Sequence, residues 1–211
     1  MPHVLSRPDD WSAIRSRDFA AWFSQLEGMR SPVAVGTCGV DGVDNLAVFN
    51  SMTHIGSRPP YLALVFRPLT VERHTYDNLK ATGIYTINHL PAEHLAALHH
   101  TSAKYPRVIS EFAAAGLTAE ASGAGAPYVA EATVSMQLRF EEEHFVAAND
   151  TVIVIGRVEE LRLAGGLPNG GGRIDWPALD GLVVSGLYNY YRVTHVATES
   201  YAKPRSSEPT S

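Results

Sequence analysis

The stretch from Asn45 to Asn78 constrains the fold most, because two apolar runs stand directly before a polar segment. Residues 45–53 are half apolar and alternate imperfectly, which is typical of a strand with one covered face. Residues 61–66 are almost continuously apolar and predict a strand buried on both faces. Turn residues at 57–60 separate the two runs. The stretch therefore predicts a strand pair that delivers polar groups to one end.

The polar segment 67–78 collects side chains that bind anions. Guanidinium forks match the geometry of phosphate, and hydroxyl and backbone N–H groups complete its shell. Residues 75–82 have a helical pattern that ends at Gly83, and the helix N-terminus adds partial positive charge. We interpret the segment as a phosphate site, the alternative being a polar surface loop with a capped helix. The candidate residues are Arg67, Thr70, Arg73, His74, Thr75 and Asn78.

The remaining chain reads mainly as strands. They are predicted at 32–38, 84–88, 132–143, 151–163 and 182–191, with Asp41-Gly42 as a hairpin turn after the first of them. Short helices are predicted at 91–100 and at 110–115, where Ser110 is the N-cap candidate. Because the strict β–α alternation of a doubly wound sheet is missing, the pattern favours a mainly β barrel with short helical insertions.

The two ends of the chain differ in pattern from this central part. Residues 1–16 are mixed and predict a loosely held arm, and the polar tail 205–211 is predicted to be disordered. Between them, the main domain is predicted to span residues 17–204. Its first helix carries an aromatic face, which we interpret as packing on the core, with Gly28 as the stop. The residues of that face are Phe19, Trp22, Phe23 and Leu26.

Composition narrows the class of protein. The chain has 211 residues, 45% of them hydrophobic, 18% charged and a net charge of -5. No basic block stands out, which argues against nucleic-acid binding. Cys38 is the only cysteine, so no intrachain disulfide and no Cys-rich zinc site is expected. No run has membrane-spanning length and no secretory signal is evident, so we expect a soluble cytoplasmic protein.

Several chemical motifs are missing from the sequence. The glycine-rich stretch 165–172 lacks the GxGxxG spacing, and no Walker A, HExxH or recognisable Ser-His-Asp context occurs. The spacing of His94, His99 and His100 does not place three imidazoles on one helix face. We therefore expect no metal site there and interpret these histidines as part of an exposed helix.

The order of several short motifs between about residue 32 and residue 204 is informative. The motifs are Asp41-Gly42, Asn45-Leu46-Ala47, Phe49-Asn50-Ser51, Arg58-Pro59-Pro60, His74-Thr75-Tyr76-Asp77-Asn78-Leu79 and Gly83-Ile84-Tyr85-Thr86-Ile87-Asn88. In this order and spacing the chain resembles the flavin reductase-like, FMN-binding split-barrel family. The resemblance implies a split β-barrel, a Greek-key antiparallel barrel with short helical insertions.

The resemblance also implies an activity. Members of this family are oxidoreductases that bind FMN, with FAD as the alternative cofactor here, and NADH or NADPH is the transient electron donor. Reduced flavin then passes electrons to a partner monooxygenase or to another acceptor. The resemblance also implies a homodimer with flavin near the subunit interface. The candidate contributors to this interface are the Trp22 face and the cluster of Tyr188, Tyr190 and Tyr191.

The resemblance further implies which residues meet the cofactor. The stretch that matches residues 73–78 lies at the FMN phosphate in the family, and the strand that matches residues 50–53 lines the isoalloxazine ring. A flavin ring needs hydrogen-bond donors near N5 and its carbonyls, together with an apolar wall. The candidates are Asn50, Ser51, Met52 and Thr53. The alternative for these four residues is a strand that simply emerges into a polar turn.

One departure from the family pattern concerns the nicotinamide side. Many members carry an aspartate-histidine-threonine pattern, whereas this chain has Asn149-Asp150-Thr151, and the histidine column falls near Thr151. His144 is a second candidate for the nicotinamide side, or else a solvated strand end. Two other hypotheses therefore stay open: a flavin-binding electron carrier without NAD(P)H activity, and a non-catalytic barrel that binds another phosphorylated ligand or none.

Overall fold

The structure is a computed structural model that describes residues 11–12, 14–166 and 172–204. The predicted tail at 205–211, most of the predicted arm at 1–16 and most of the loop at 165–172 lie outside the described residues. The strands are β1 Met29–Arg30, β2 Val33–Cys38, β3 Asp44–Phe49, β4 Met52–Ser57, β5 Pro60–Phe66, β6 Ile84–His89, β7 Ala119–Glu120, β8 Tyr128–Val129, β9 Val134–Val146, β10 Thr151–Leu163, β11 Leu182–Ser185 and β12 Asn189–Arg192. The helices are α1 Ser16–Leu26, α2 His74–Thr82, α3 Leu95–His100 and α4 Glu111–Ala115, with a 3-10 turn at Ala92–His94.

One antiparallel sheet of seven strands dominates the molecule. Its order is β3-β2-β6-β9-β10-β5-β4, so β3 and β4 are its two edges. Only Asn50 and Ser51 separate these two strands in the chain. The two edges must therefore lie side by side at this point, which curls the sheet into a barrel. The predicted mainly β architecture with short helical insertions is confirmed.

The prediction of one strand over residues 45–53 is wrong, because the chain bends between β3 and β4. The Asn50 side-chain amide donates a 2.7 Å hydrogen bond to the carbonyl oxygen of Gly186. The Ser51 hydroxyl donates a 2.8 Å hydrogen bond to the carbonyl oxygen of Val65. These two bonds hold the bend in place and direct the following residues toward the opposite edge of the sheet.

A second, smaller sheet forms near the C-terminal end of the described chain. The segment predicted as one strand or bend at 182–191 is a hairpin of β11 and β12, and β1 pairs with β11 on the other side. The hairpin turn contains Gly186, whose φ of 64° lies in the left-handed region that favours glycine. The Asn50 bond joins this turn to the end of β3.

The core sits inside the barrel and beneath α3 and α4. Strand β2 contributes to both layers, since Val33 and Val35 face the barrel interior and Ala34 faces the helices. The residues from Val33 to Thr37 are accordingly all buried. Helix α2 packs into the barrel through Leu79 and ends at Gly83, as predicted, with a φ of 74°.

The interpretation of α1 as a core helix is wrong. The helix forms, but none of its residues is buried, and Trp22, Phe23 and Leu26 are 42%, 56% and 61% exposed. Phe19 stacks on Phe23 at a ring distance of 5.4 Å. Helical spacing of aromatic residues shows that the helix has an apolar face, but it does not show which surface covers that face.

A buried histidine makes stability depend on pH. His89 is 8% exposed and its ring lies 4.9 Å from that of Trp176. Burial lowers the pKa of His89 to about 4, whereas histidine in an unfolded chain titrates at about 6.5. Between these values the unfolded state binds more protons, so this contribution to stability is complete above about pH 6.5 and is lost as the pH falls toward about 4.

We therefore expect the free energy of unfolding to fall by about 2 kcal/mol between pH 7 and pH 5. Urea unfolding at the two pH values measures this difference. The variant His89→Gln, which has no titrating ring, is the control and should lose most of the pH dependence. An equal dependence in both proteins would show that other groups cause it.

Candidate functional site

A cavity of about 780 Å³ opens where β3, β5, α2, the segment after α3 and the β11–β12 turn meet. Its size lies within the range of small-molecule and cofactor sites. The bend at Asn50 and Ser51 forms part of its wall, so the feature that curls the sheet also shapes the cavity. From the sequence candidates, the structure brings together Asn50, Ser51, Arg67, Arg73, His74 and Thr75 in this lining.

The other four candidates lie outside the lining. Met52 packs against the barrel core, and Thr53 is exposed on β4. Thr70 lies in a neighbouring hollow of about 260 Å³ that shares Arg73 with the larger cavity. Asn78 is buried behind the wall, where its side chain bonds to other residues of the chain.

The N-terminus of α2 forms one end of the cavity. Arg73 is the N-cap residue and makes no side-chain capping bond, and Arg73, His74 and Thr75 of this end line the cavity. The N–H groups of a first helical turn carry positive partial charge. The Nε atom of Arg73 is buried and has no hydrogen-bond partner within the described residues. A buried donor without a partner costs free energy, and an anion bound at this end would satisfy it.

The charge of the lining also favours an anion. Its positive side chains are Arg30, Arg67, Arg73 and Lys104, and its acidic ones are Glu72 and Glu111. Glu111 accepts a 3.1 Å hydrogen bond from the Leu46 N–H, and Glu72 lies 3.5 Å from the His74 ring. Over the described ranges, Arg67, Arg73 and Lys104 form no ion pair.

A buried polar network supports the same wall. The Thr75 hydroxyl oxygen accepts a 3.0 Å bond from the Asn45 amide, which also donates to the Thr37 hydroxyl oxygen at 3.3 Å. The Asn78 amide donates to that same oxygen at 3.2 Å, and Arg107 donates to Asn78 at 2.8 Å. Asn78 therefore acts on the cavity through the packing of α2 and not by direct contact.

Aromatic rings build the apolar wall. Phe49 and Phe66 line the cavity, and their rings lie 5.1 Å apart in an edge-to-face arrangement. Tyr76 continues the series, with its ring 5.4 Å from that of Phe66. Val48 and Val65 complete this part of the lining. The cavity thus combines a cationic end with an apolar wall, which suits a flat ring system that carries an anionic group.

Most residues of the lining, among them Arg30, His99 and Tyr188, were not among the sequence candidates for the site. Arg30 has a buried Nε atom without a hydrogen-bond partner within the described residues. His99 is half-buried and lies 2.9 Å from the Tyr190 hydroxyl, so its interpretation as part of an exposed helix is wrong. Tyr188, which the sequence suggested only for an interface, is 71% exposed at the rim. All three lie far in the sequence from the polar segment, and no local signal marks them.

The two candidate residues for the nicotinamide side, His144 and Thr151, lie in different parts of the structure. His144 is exposed on β9, 3.2 Å from Glu142, and does not line the cavity. Thr151 does line it, and its hydroxyl donates a 2.8 Å hydrogen bond to the Asn149 side chain. The family's histidine column, which the resemblance places near Thr151, therefore falls at the cavity lining.

No group of three or more His, Cys, Asp and Glu side chains among the described residues is placed to hold a metal ion. None of the described helices is both long enough and apolar enough to cross a membrane. Burial raises the pKa of the Cys38 thiol to about 11, so the thiol stays protonated at neutral pH.

Comparison with known proteins identifies the family. The family model described as the flavin reductase like domain matches residues 26–182. The chain belongs to the flavin reductase-like family. This flavin reductase-like protein is 33% identical to a candidate flavin reductase with a split barrel domain from Shewanella frigidimarina NCIMB 400. That structure has a TM-score of 0.89 with this chain, and the match covers 95% of this chain and 100% of the other.

Two further proteins are similar to this chain. Component B of nitrilotriacetate monooxygenase from Bacillus cereus has a TM-score of 0.80 at 23% identity, over 94% of this chain and 100% of that chain, and shows the same fold. An uncharacterized protein from Aquifex aeolicus is 28% identical over 149 residues, which are 68% of this chain and 75% of that protein. The split barrel and the family that the sequence motifs predicted are confirmed.

Proposed function

We propose that this flavin reductase-like protein is an oxidoreductase that binds FMN in the cavity of about 780 Å³. The observation that carries the proposal is the buried, unpartnered Nε of Arg73 at the uncapped N-terminus of α2, in the described part of the chain. A phosphate group would satisfy this donor and the helix N-terminus together. The apolar wall next to it suits the ring of the same cofactor.

Each part of the lining has a role in this proposal. Arg67, Arg73 and Thr75 would hold the phosphate, and the Phe49 and Phe66 side would face the isoalloxazine ring. The side chains of Asn50 and Ser51 are occupied by bonds to main-chain carbonyls, so their part is to hold the wall in shape. When bound, the flavin supplies the electron-transfer chemistry, and the protein supplies binding, orientation and exclusion of water.

The electron donor in this proposal is NADH or NADPH, and the acceptor is a flavin-dependent monooxygenase or another oxidant. The family supports a reductase, and the similarity to component B of a monooxygenase supports delivery of reduced flavin to a partner enzyme. The nicotinamide cofactor would stack only transiently on the flavin, which agrees with the missing GxGxxG fingerprint. The single cysteine favours a cytoplasmic location for this chemistry.

One observation favours a second candidate function, that of a flavin-binding electron carrier with no NAD(P)H activity. Thr151 lines the cavity, and the histidine that many members of the family carry falls near this residue. A threonine hydroxyl cannot carry a positive charge, so it cannot supply the electrostatic attraction of a protonated histidine. An electron carrier would need only the bound flavin and an exposed ring edge.

We also propose that the protein is a homodimer. Trp22, Phe23, Leu26 and Met29 are each between 42% and 61% exposed, and they lie on or just after α1. Exposed aromatic and aliphatic groups in this number mark an interaction surface. A second copy of the chain would cover them and place this surface beside the cavity, since Ser24 of the same helix lines it. Light scattering coupled to gel filtration would measure the molar mass, and a monomer at micromolar concentration would contradict the proposal.

Absorbance spectroscopy tests the proposed function. The purified protein is expected to show flavin bands, or to acquire them with FMN, and chromatography of the released pigment distinguishes FMN from FAD. Mixing the holoprotein with NADH or NADPH without oxygen should bleach the bands. Bleaching by dithionite but by neither nucleotide would favour the electron carrier. A protein that takes up no flavin would overturn both functions.

A further inference from the structure

We propose that Asn45 is a positioning residue for anion binding, because its amide turns the Thr75 hydroxyl proton into the cavity. This inference rests on the proposed function, since the anion is taken to be the phosphate of FMN. It concerns a residue of β3 that the phosphate segment 67–78 does not contain. Both side chains belong to the lining of the cavity.

The geometry sets the direction of the hydroxyl. The amide nitrogen of Asn45 lies 3.0 Å from Thr75 Oγ1 and donates to it. A hydroxyl has one proton and two acceptor positions. Once one acceptor position is taken by the amide, the proton has to point away from Asn45. Thr75 is 6% exposed and lines the cavity, so the proton is directed to a ligand there and not to bulk water.

The amide itself cannot easily turn round. Its two protons are both used, one by Thr75 and the other by Thr37 at 3.3 Å. Thr37 Oγ1 is held in place by a second donor, Asn78, which is bound in turn by Arg107. Asn45 is 6% exposed, so water competes little for these bonds. The network therefore favours Thr75 as a donor toward the cavity before any ligand arrives.

Pre-orientation of this kind favours anions over other ligands. A phosphate oxygen only accepts hydrogen bonds, and a hydroxyl that is already pointed at it needs no reorientation on binding. A hydroxyl that is free to rotate spends part of its time as an acceptor and binds an anion less well. Asn45 would thus strengthen the hold on the phosphate without touching it.

A double-mutant cycle tests the proposal with FMN and riboflavin as probes. Riboflavin has the same ring without the phosphate. The variants are Asn45→Leu, which is neutral and of similar size, Thr75→Val, and the two together. Asn45→Leu is expected to weaken FMN binding about fivefold, and Thr75→Val about tenfold, each with riboflavin affinity unchanged within about twofold. Thr75→Ser, which keeps the hydroxyl, should lose less FMN affinity than Thr75→Val.

The FMN affinity of the double variant shows whether Asn45 acts through the Thr75 hydroxyl. If Asn45 acts through the Thr75 hydroxyl, the double variant should bind FMN no worse than Thr75→Val alone, because Asn45→Leu then costs no further affinity once the hydroxyl is gone. Additive losses, unchanged FMN affinity in Asn45→Leu, or equal losses for riboflavin would overturn the inference. Should Asn45→Leu fail to fold, Asn45→Asp in the same cycle replaces it, since its added charge appears in both backgrounds and cancels. Wild-type protein that binds no FMN would instead refute the proposed function.

Discussion

Arg73→Ala is expected to weaken FMN binding about a hundredfold, which corresponds to ~3 kcal/mol. The guanidinium has a buried Nε without a partner in the described part of the chain and stands at the N-terminus of α2. Hydrogen bonds to a charged group are the strongest of their kind, and the helix dipole adds to them. Riboflavin affinity should change little, because the loss concerns the phosphate. Fluorescence titration with each flavin measures both values.

Two further variants make this measurement specific. Arg73→Lys keeps the charge but loses the planar fork, so FMN affinity should fall between those of the wild type and Arg73→Ala. Arg173→Ala removes an arginine outside the cavity, paired with Asp175 at 3.6 Å on the surface, and should leave FMN affinity unchanged. A loss of less than about threefold in Arg73→Ala would remove this residue from the phosphate site.

Gly36→Ala is expected to lower the free energy of unfolding by about 3 kcal/mol. Gly36 lies in β2 opposite Thr86, and the Thr86 hydroxyl donates a 2.6 Å hydrogen bond to the carbonyl oxygen of Pro127. A methyl group at this glycine would overlap both oxygens. The carbonyl belongs to the main chain and cannot rotate away, so relief requires a shift of the barrel wall or loss of the buried bond.

The sheet contains a matched control for this substitution. Gly56 lies in β4, and a methyl group there would meet nothing closer than the Pro59 carbonyl oxygen at 3.6 Å, an ordinary contact. Gly56→Ala should therefore change stability by no more than about 0.5 kcal/mol. Urea unfolding of the three proteins with a common slope measures both differences. Equal losses in the two variants would show that loss of glycine as such matters, and not the space around Gly36.

Much of the fold could be predicted because its signals are local. The Asp41-Gly42 turn lies between β2 and β3, Gly83 ends α2 in the left-handed region, and β10 spans the residues predicted for it. Each of these features depends on residues that are neighbours in the chain, so the pattern of apolar and turn residues is enough to predict it. The order of these motifs also predicted the family.

The prediction over residues 45–53 failed for a reason that is not local. Asn50 and Ser51 interrupt the strand because their side chains bond to Gly186 and Val65. Gly186 is distant in sequence, and no pattern within residues 45–53 marks its approach. The same limit explains the wrong interpretation of α1 as a core helix. An aromatic face has the same sequence pattern whether it packs on the chain's own core or on another surface.

The candidate site likewise contains residues that local sequence indicates and residues that only the fold brings to it. From the sequence alone we could predict the split-barrel family and a polar segment whose Arg67, Arg73 and Thr75 line one cavity. The folded chain was needed to show that Asn78 lies behind the wall, that Arg30 and His99 join the lining, and that Asn45 bonds to Thr75. Residue type and spacing specify local conformation and chemistry. Which distant side chains share a cavity depends instead on strand register and packing, which form only when the whole chain has folded.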